Sequence, residues 1–107
     1  MPLIASEIPA TAETLEDYSQ VLRADPERRT AIAAQLAEGR LFGGIFNERP
    51  VAIALLLPSG DQWQLAEWVV HPATRGRGVG KELLRQTRQL LAPATLSIQL
   101  RDSDNNE

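Results

Sequence analysis

The segment of the sequence that most constrains the fold runs from Trp68 to Arg85. The segment begins with an apolar run at 68–70 and ends in a helical pattern from Val79 onward. Between them, alternating glycines are flanked by basic residues: Arg75, Gly76, Arg77, Gly78, Gly80 and Lys81. The first amides of a helix lack internal partners and carry partial positive charge, and glycine lets a ligand approach the backbone closely. The pattern therefore predicts a strand–turn–helix unit that binds an anion such as a pyrophosphate.

Size and charge narrow the classes of function. The chain has 107 residues, of which 43% are apolar, so we expect one globular domain over residues 1–100 with a polar tail at 101–107. The net charge of −3 argues against nucleic acid as a partner and makes the basic cluster at 75–81 a local feature.

Residue usage also bears on location and on metals. The chain has no cysteine and one histidine, which excludes disulfides and thiolate ligands, and we predict no metal site. No apolar run approaches the ~18 residues of a membrane span, and the N-terminus does not resemble a signal peptide. We therefore expect a cytoplasmic protein with no membrane partner.

Periodicity and cap residues predict the order β-α-α-β-β-β-α-β. Thr11 caps a helix over 12–24, and Asp25-Pro26-Glu27 begins a second helix over 26–38. A hairpin turns at Asn47-Glu48-Arg49. The strand at 62–70 is apolar on both faces, so it should be central and covered on both sides.

The second half of the pattern completes a layered α/β fold. The helix after the glycines should expose Arg85 and Arg88 and bury its apolar residues, which are Val79, Leu83, Leu84, Leu90 and Leu91. A strand at 95–100 follows this crossover and should run parallel to the strand at 62–70. We therefore predict a mixed α+β sheet in three layers, helix/sheet/helix.

This order and its Gly-rich turn resemble the GNAT (Gcn5-related N-acetyltransferase) superfamily. Arg75, Gly78 and Gly80 fill the fixed places of the acyl-CoA motif Q/R-x-x-G-x-G/A. The resemblance implies that acetyl-CoA (or CoA) is the cofactor and that the turn amides hold its pyrophosphate. It also implies that the strand end lies beside the pantetheine arm and the acyl group. The cofactor-binding residues implied are Trp68, Val69, Val70, Thr74, Arg75, Gly76, Arg77, Gly78, Val79, Gly80 and Lys81.

A narrower resemblance is to the PanZ family of small bacterial GNAT proteins. It is carried by residues 40–49, above all Phe46-Asn47-Glu48-Arg49, together with residues 74–80. Such proteins bind CoA or acetyl-CoA and promote maturation of aspartate 1-decarboxylase. This resemblance implies a regulator whose protein partner contacts Asn47, Arg49 and the Arg75 turn.

The superfamily pattern continues after its fifth strand with another helix and two strands, whereas here residues 101–107 follow. We therefore expect a GNAT fold truncated after the fifth strand, with residues 95–100 at an exposed edge that would allow a homodimer. The usual tyrosine acid of the superfamily has no counterpart, because Tyr18 lies in the first helix.

Two titratable residues compete as the general base. Glu67 lies on the central strand, where many relatives carry a carboxylate that accepts the proton of the amine; the alternative is an outward salt bridge. His71, between Val70 and Pro72, is favoured as structural. Trp63 and Trp68 should be core or pocket wall. The function expected is N-acetyltransfer to a primary amine of a small molecule or protein, with a PanZ-like regulator and a ligand-free remnant as alternatives.

Overall fold

The computed structural model describes residues 3–98. Its helices and strands follow the predicted order, with the first predicted helix divided in two and a short 3₁₀ turn added after the central strand. In chain order they are β1 (Ile4–Ile8), α1 (Ala12–Asp17), α2 (Ser19–Leu22), α3 (Pro26–Ala34), β2 (Arg40–Phe46), β3 (Arg49–Ser59), β4 (Gln62–Val70), the 3₁₀ turn (Pro72–Thr74), α4 (Val79–Leu91) and β5 (Leu96–Ser97).

The five strands form one mixed sheet in the order β1-β2-β3-β4-β5. The first four strands pair antiparallel, and β4 pairs parallel with β5 through Trp63–Leu96 and Gln64–Ser97. The predicted parallel pairing is thus confirmed. The strand predicted at 95–100 is seen at Leu96–Ser97, and its last two residues lie outside the described part of the chain, as does the tail at 101–107. A homodimer through this edge stays a prediction.

Each face of the sheet carries its own buried core, which confirms the predicted three layers. One core joins the sheet to α4 and includes Trp68, Val70 and Leu83. The other joins the sheet to α1, α2 and α3 and includes Tyr18, Ile32 and Val69. Strand β4 contributes to both cores, so it is covered on both sides as its sequence predicted.

The helical segment at 12–24 is not continuous, because the chain bends at Tyr18 (φ −102°, ψ 19°). The ring of Tyr18 is 4% exposed and packs on β2 beside Gly43. A Cβ at Gly43 would lie 2.0 Å from the Tyr18 hydroxyl oxygen, so a glycine is needed for this approach. The predicted caps are confirmed: the Thr11 and Asp25 side chains accept from the N–H groups of Thr14 and Arg28. Helix α3 ends at Ala34 instead of 38.

Helix α4 exposes Arg85 and Arg88 as predicted, but the prediction that Leu90 is buried is wrong. Leu90 is 49% exposed, and the buried polar residue Thr87 belongs to the core-facing stripe instead. The reason is the position of Gln86, one turn before Leu90, at the outer edge of the sheet. Its amide accepts from the Ala5 N–H (2.8 Å) and donates to the Leu3 carbonyl (2.7 Å). This flank of α4 therefore faces β1, the edge strand of the sheet, and Leu90 lies beyond it.

Across residues 3–98, the structure contains no helix with the length and apolarity needed to cross a membrane.

Candidate functional site

The end of β4 presents its backbone to a ligand, because its side chains are buried. Trp68, Val69 and Val70 are 3%, 0% and 0% exposed. Trp68 and Val70 pack towards α4, and Val69 packs towards the three N-terminal helices. Any contact of these three residues with a cofactor would therefore be made by peptide groups at the strand edge.

The hydrogen-bond pattern shows which peptide groups those are. The His71 N–H donates to the Val51 carbonyl of β3 (2.8 Å), and β3 and β4 are antiparallel in this region. Since peptide groups alternate along a strand, those of Trp68 and Val70 point away from β3. On that side β5 pairs with Trp63 and Gln64, and residues 3–98 provide no strand partner for the last part of β4. Within the described part of the chain this edge of β4 is open, and it leads directly into the Gly-rich turn.

Two arginines reach the carbonyls on the open edge of β4. Arg28 of α3 donates from Nη1 to the Trp68 carbonyl (2.8 Å), and Arg75 donates from Nε to the Val70 carbonyl (3.0 Å). The N–H of Val70 points the same way as its carbonyl, with no partner shown in the described range. The edge therefore offers a hydrogen-bond donor at Val70, between two carbonyls held by cationic side chains.

The Gly-rich turn has the backbone conformation that its glycines allow. Gly76 (φ +80°) and Gly78 (φ +76°) are both left-handed, and a Cβ built at either would meet no atom within 4 Å. Gly78 is the N-cap of α4 and provides no capping side chain. The first amides of α4, those of Val79 and Gly80, have no acceptor within the helix and lie at its positive end.

Side chains around the turn add positive charge. Arg77 and Lys81 are exposed, and the Nε of Arg75 is bound to the Val70 carbonyl, which directs its guanidinium along the strand end. The Thr74 hydroxyl donates to the His71 carbonyl (3.0 Å) and fixes the start of the turn. The Glu82 carboxylate accepts hydrogen bonds from Arg85, which has the larger effect, and from Gln86, and these bonds lower its pKa to about 2. The negative charge in the first turn of α4 is thus paired with Arg85.

Glu67 lies on the face of the sheet covered by α1, α2 and α3. It is opposite Leu55, next to a β-bulge at which the register with β3 shifts by one residue. The side chain is half-buried, and no ion pair or hydrogen bond involves it within residues 3–98. The salt bridge considered as its alternative role is absent from the described residues.

The position of His71 supports a structural role. Its Nδ1 accepts from the Ala73 N–H (3.0 Å) and caps the 3₁₀ turn after β4. In the neutral ring the proton is then on Nε2. Residues 3–98 contain no group of three or more His, Cys, Asp or Glu side chains that could hold a metal ion.

A pocket of about 720 Å³ opens next to the start of the Gly-rich turn. It lies between the β2–β3 hairpin turn, the first two helices and the 3₁₀ turn. Its lining residues are Asp17, Gln20, Phe46, Asn47, Arg49, Pro50, Val51, His71, Ala73 and Thr74. The hairpin turn has two residues, Asn47 (φ +52°) and Glu48 (φ +65°), since Arg49 already belongs to β3. Two left-handed residues make it a type I′ turn, and the predicted three-residue turn is wrong by one residue.

Sequence reasoning did not find Arg28, Asp17 or Gln20. Arg28 appears in the sequence as one of several charges in the first turns of a helix, and its contact with Trp68 spans 40 residues. Asp17 and Gln20 belong to short helices whose separation at Tyr18 was not predicted. Only a rule that places the first helices over the end of the central strand could have pointed to these residues.

Comparison with solved structures places the fold. The ribosomal-protein-S18-alanine N-acetyltransferase from Escherichia coli aligns with a TM-score of 0.72 and 23% identity over 95% of this chain and 69% of its own. A GNAT family acetyltransferase from Elizabethkingia anophelis with acetyl-CoA bound gives 0.72 and 22% over 95% and 67%. An IAA acetyltransferase from Bacillus cereus gives 0.63 and 23% over 82% and 57%. The chain thus spans 57–69% of the length of these proteins, and the likeness concerns the fold.

Comparison of the sequence gives a narrower answer. No curated protein matches it. Residues 12–106 match the family model described as "Acetyltransferase (GNAT) domain, PanZ". This range contains both the Asn47–Glu48 hairpin turn and the Gly-rich turn after β4. With the GNAT fold and a match over most of its length, the chain belongs to the PanZ family of GNAT acetyltransferase domains.

Proposed function

We propose that this protein binds acetyl-CoA and transfers its acetyl group to a primary amine of a small molecule or protein. The observation that carries the proposal is the turn before α4. Gly76 and Gly78 leave open space above left-handed backbone, and the helix N-terminus supplies amides and partial positive charge. A pyrophosphate fits this combination of unobstructed backbone and basic side chains.

The pantetheine arm would continue from the turn along the open edge of β4. The arm is an extended chain with two amides, and an exposed strand edge binds such a chain through peptide hydrogen bonds. The Val70 N–H would then be the donor for the thioester carbonyl, where it would stabilise the negative charge that develops on the oxygen during transfer.

Direct transfer needs a neutral amine beside the thioester. The amine nitrogen attacks the carbonyl carbon, the C–S bond breaks, and CoA leaves as a thiolate that gains a proton from the surroundings. The proton lost by the amine passes to Glu67 or to a water beside it. Glu67 is suited to this role because it lies on the face of β4 that α1, α2 and α3 cover. Its side chain is half-buried and has no ion pair among the described residues.

Titration of the protein with acetyl-CoA tests the binding step. Amide resonances of residues 75–81 and of Val70 should shift as acetyl-CoA is added, while those of the β3–β4 turn at Gly60 should not. If millimolar acetyl-CoA leaves residues 75–81 unshifted, the proposal is wrong at its first step.

A second function, regulation of a protein partner, is favoured by the pocket beside the turn. Asn47 and Arg49 line it together with His71 and Thr74, so a partner seated there would lie next to the bound cofactor. On this proposal acetyl-CoA serves as a signal, and the partner suggested by the family resemblance is the precursor of aspartate 1-decarboxylase.

Two assays separate the two functions. Thiol release from acetyl-CoA in a screen of amines measures transfer, and the rate of decarboxylase maturation with added CoA measures regulation. Turnover with a defined amine supports transfer. CoA binding without turnover, together with faster maturation, supports regulation.

A further inference from the structure

The Trp68 carbonyl, on the open edge of β4, is bound by an arginine from another layer of the protein. Arg28 Nη1 lies 2.8 Å from this oxygen, although Arg28 belongs to α3, which packs on one face of the sheet. Next along the strand, the Val70 carbonyl is bound by Arg75, which belongs to the turn itself. Arg28 thus links the edge of β4 to the helical layer.

The guanidinium of Arg28 is held in place from its own helix. The Asp25 carboxylate accepts from the Arg28 backbone N–H with Oδ1 (3.2 Å) and lies 3.2 Å from its Nε with Oδ2. The Arg28 side chain is 13% exposed. The same acid therefore caps α3 and orients the arginine, so the contact with β4 is built into the start of the helix.

The open edge is also where an amide-bearing chain must pair. A carbonyl on a strand edge is an acceptor for the N–H of an added chain. A guanidinium already bound to that carbonyl has to share it or withdraw. An N–H group of the pantetheine arm and the Arg28 side chain would thus approach the same oxygen.

We propose that Arg28 gates the acyl-CoA groove, holding the Trp68 carbonyl in the free protein and releasing it when the pantetheine arm pairs with β4. This inference rests on the proposed binding of acetyl-CoA. Arg28 is a positioning residue, because it acts on the strand that receives the arm. The binding of the arm is then coupled to the N-terminus of α3 through Asp25.

The test compares two ligands and two variants by calorimetry. CoA carries the arm, and adenosine 3′-phosphate 5′-diphosphate is the part of CoA without it. Arg28→Met keeps an apolar stem and removes the donors. Arg29→Met is the matched control, because Arg29 is the next residue of α3 and pairs with Glu16 (3.1 Å) at the surface.

We expect Arg28→Met to bind CoA about tenfold more tightly than the wild type, equivalent to ~1.4 kcal/mol. Its affinity for the armless nucleotide should not change, and Arg29→Met should match the wild type for both. An unchanged or weaker CoA affinity of Arg28→Met overturns the gate. Failure of the wild type to bind either ligand would instead contradict the proposed function.

A measurement on the wild type tests the gate without requiring that the Arg28→Met variant folds. The Nε–H resonance of Arg28 should shift when CoA is added and stay in place with the armless nucleotide. If both ligands leave this resonance unchanged while CoA shifts the amides of 75–81, the arm binds without displacing Arg28 and the gate is disproved.

Discussion

Gly78→Ala should separate the cost of the left-handed backbone from the loss of a ligand site. Gly78 (φ +76°) and Gly60 (φ +64°) share this conformation, and a Cβ at either meets no atom within 4 Å. Alanine at each should therefore cost about 1–2 kcal/mol of unfolding free energy from backbone strain alone. For a domain of this size, each kcal/mol lowers the melting temperature by roughly 4 °C or slightly more.

The two glycines differ in what lies beside them. Gly60 is in the β3–β4 turn, whereas Gly78 is the N-cap of α4 and lies directly before its first amides. A methyl group at Gly78 would occupy space that a pyrophosphate needs, and we expect acetyl-CoA affinity to fall by at least about tenfold, or ~1.4 kcal/mol. Gly60→Ala should lose similar stability and keep its affinity.

Calorimetric titration of acetyl-CoA into both variants, with thermal unfolding on the same samples, measures the two effects. Binding is to be compared well below both melting temperatures, so that unfolding does not contribute. Wild-type affinity in Gly78→Ala would refute the assignment of the turn. An equal loss of affinity in Gly60→Ala would show that strain acts at a distance and would refute the reasoning from open space.

Three further changes have defined outcomes. Glu67→Gln should lower turnover at saturating amine by about tenfold or more, since a positioned base contributes ~10²–10⁴-fold, and should leave acetyl-CoA affinity unchanged; unaltered turnover removes Glu67 from the mechanism. Arg85 and then Gln86 lower the pKa of Glu82 from 4.5 to about 2, so the stabilisation from its carboxylate is complete above pH 4.5 and is lost as the pH falls towards 2. Urea unfolding at several pH values should show a smaller acid loss in Glu82→Gln than in the wild type, and parallel curves would contradict this. Gln86→Leu should free the β1 edge at Leu3 and Ala5 and increase concentration-dependent association in analytical ultracentrifugation, with the exposed Arg88→Leu as control.

The sequence was sufficient for the sheet and the turn because both rest on local rules. Alternation across 62–70 identified a strand covered on both faces, and the crossover through α4 required β5 to be parallel. Thr11 and Asp25 identified their helix starts because a cap is a hydrogen bond within four residues.

The sequence failed where a long-range contact decided the local structure. Tyr18 interrupts a good helical pattern because its ring packs on Gly43, 25 positions away in the chain. Leu90 has the spacing of a core residue, but the sheet ends at β1 on that side of α4. Arg28 and the pocket residues come together through the packing of helices on the sheet, which periodicity does not specify. The GNAT and PanZ resemblance predicted a ligand class, while the placement of side chains around the turn and the strand end required the structure.

The arrangement of the site suggests why one fold can serve transfer and regulation. In the proposed function, the turn and the β4 edge would engage the cofactor mainly through backbone groups, for which the glycines and the strand end are the main requirement. The residues that would act on a second molecule lie at two separate positions, on β4 and around the pocket. Glu67 is on the face of β4 that α1, α2 and α3 cover, and Asn47 and Arg49 line the pocket at the end of the sheet. Glu67→Gln should therefore lower acetyl transfer without changing partner maturation, and Asn47→Ala should lower partner maturation without changing acetyl transfer. A variant that changes both would mean that the second molecule bridges the two surfaces.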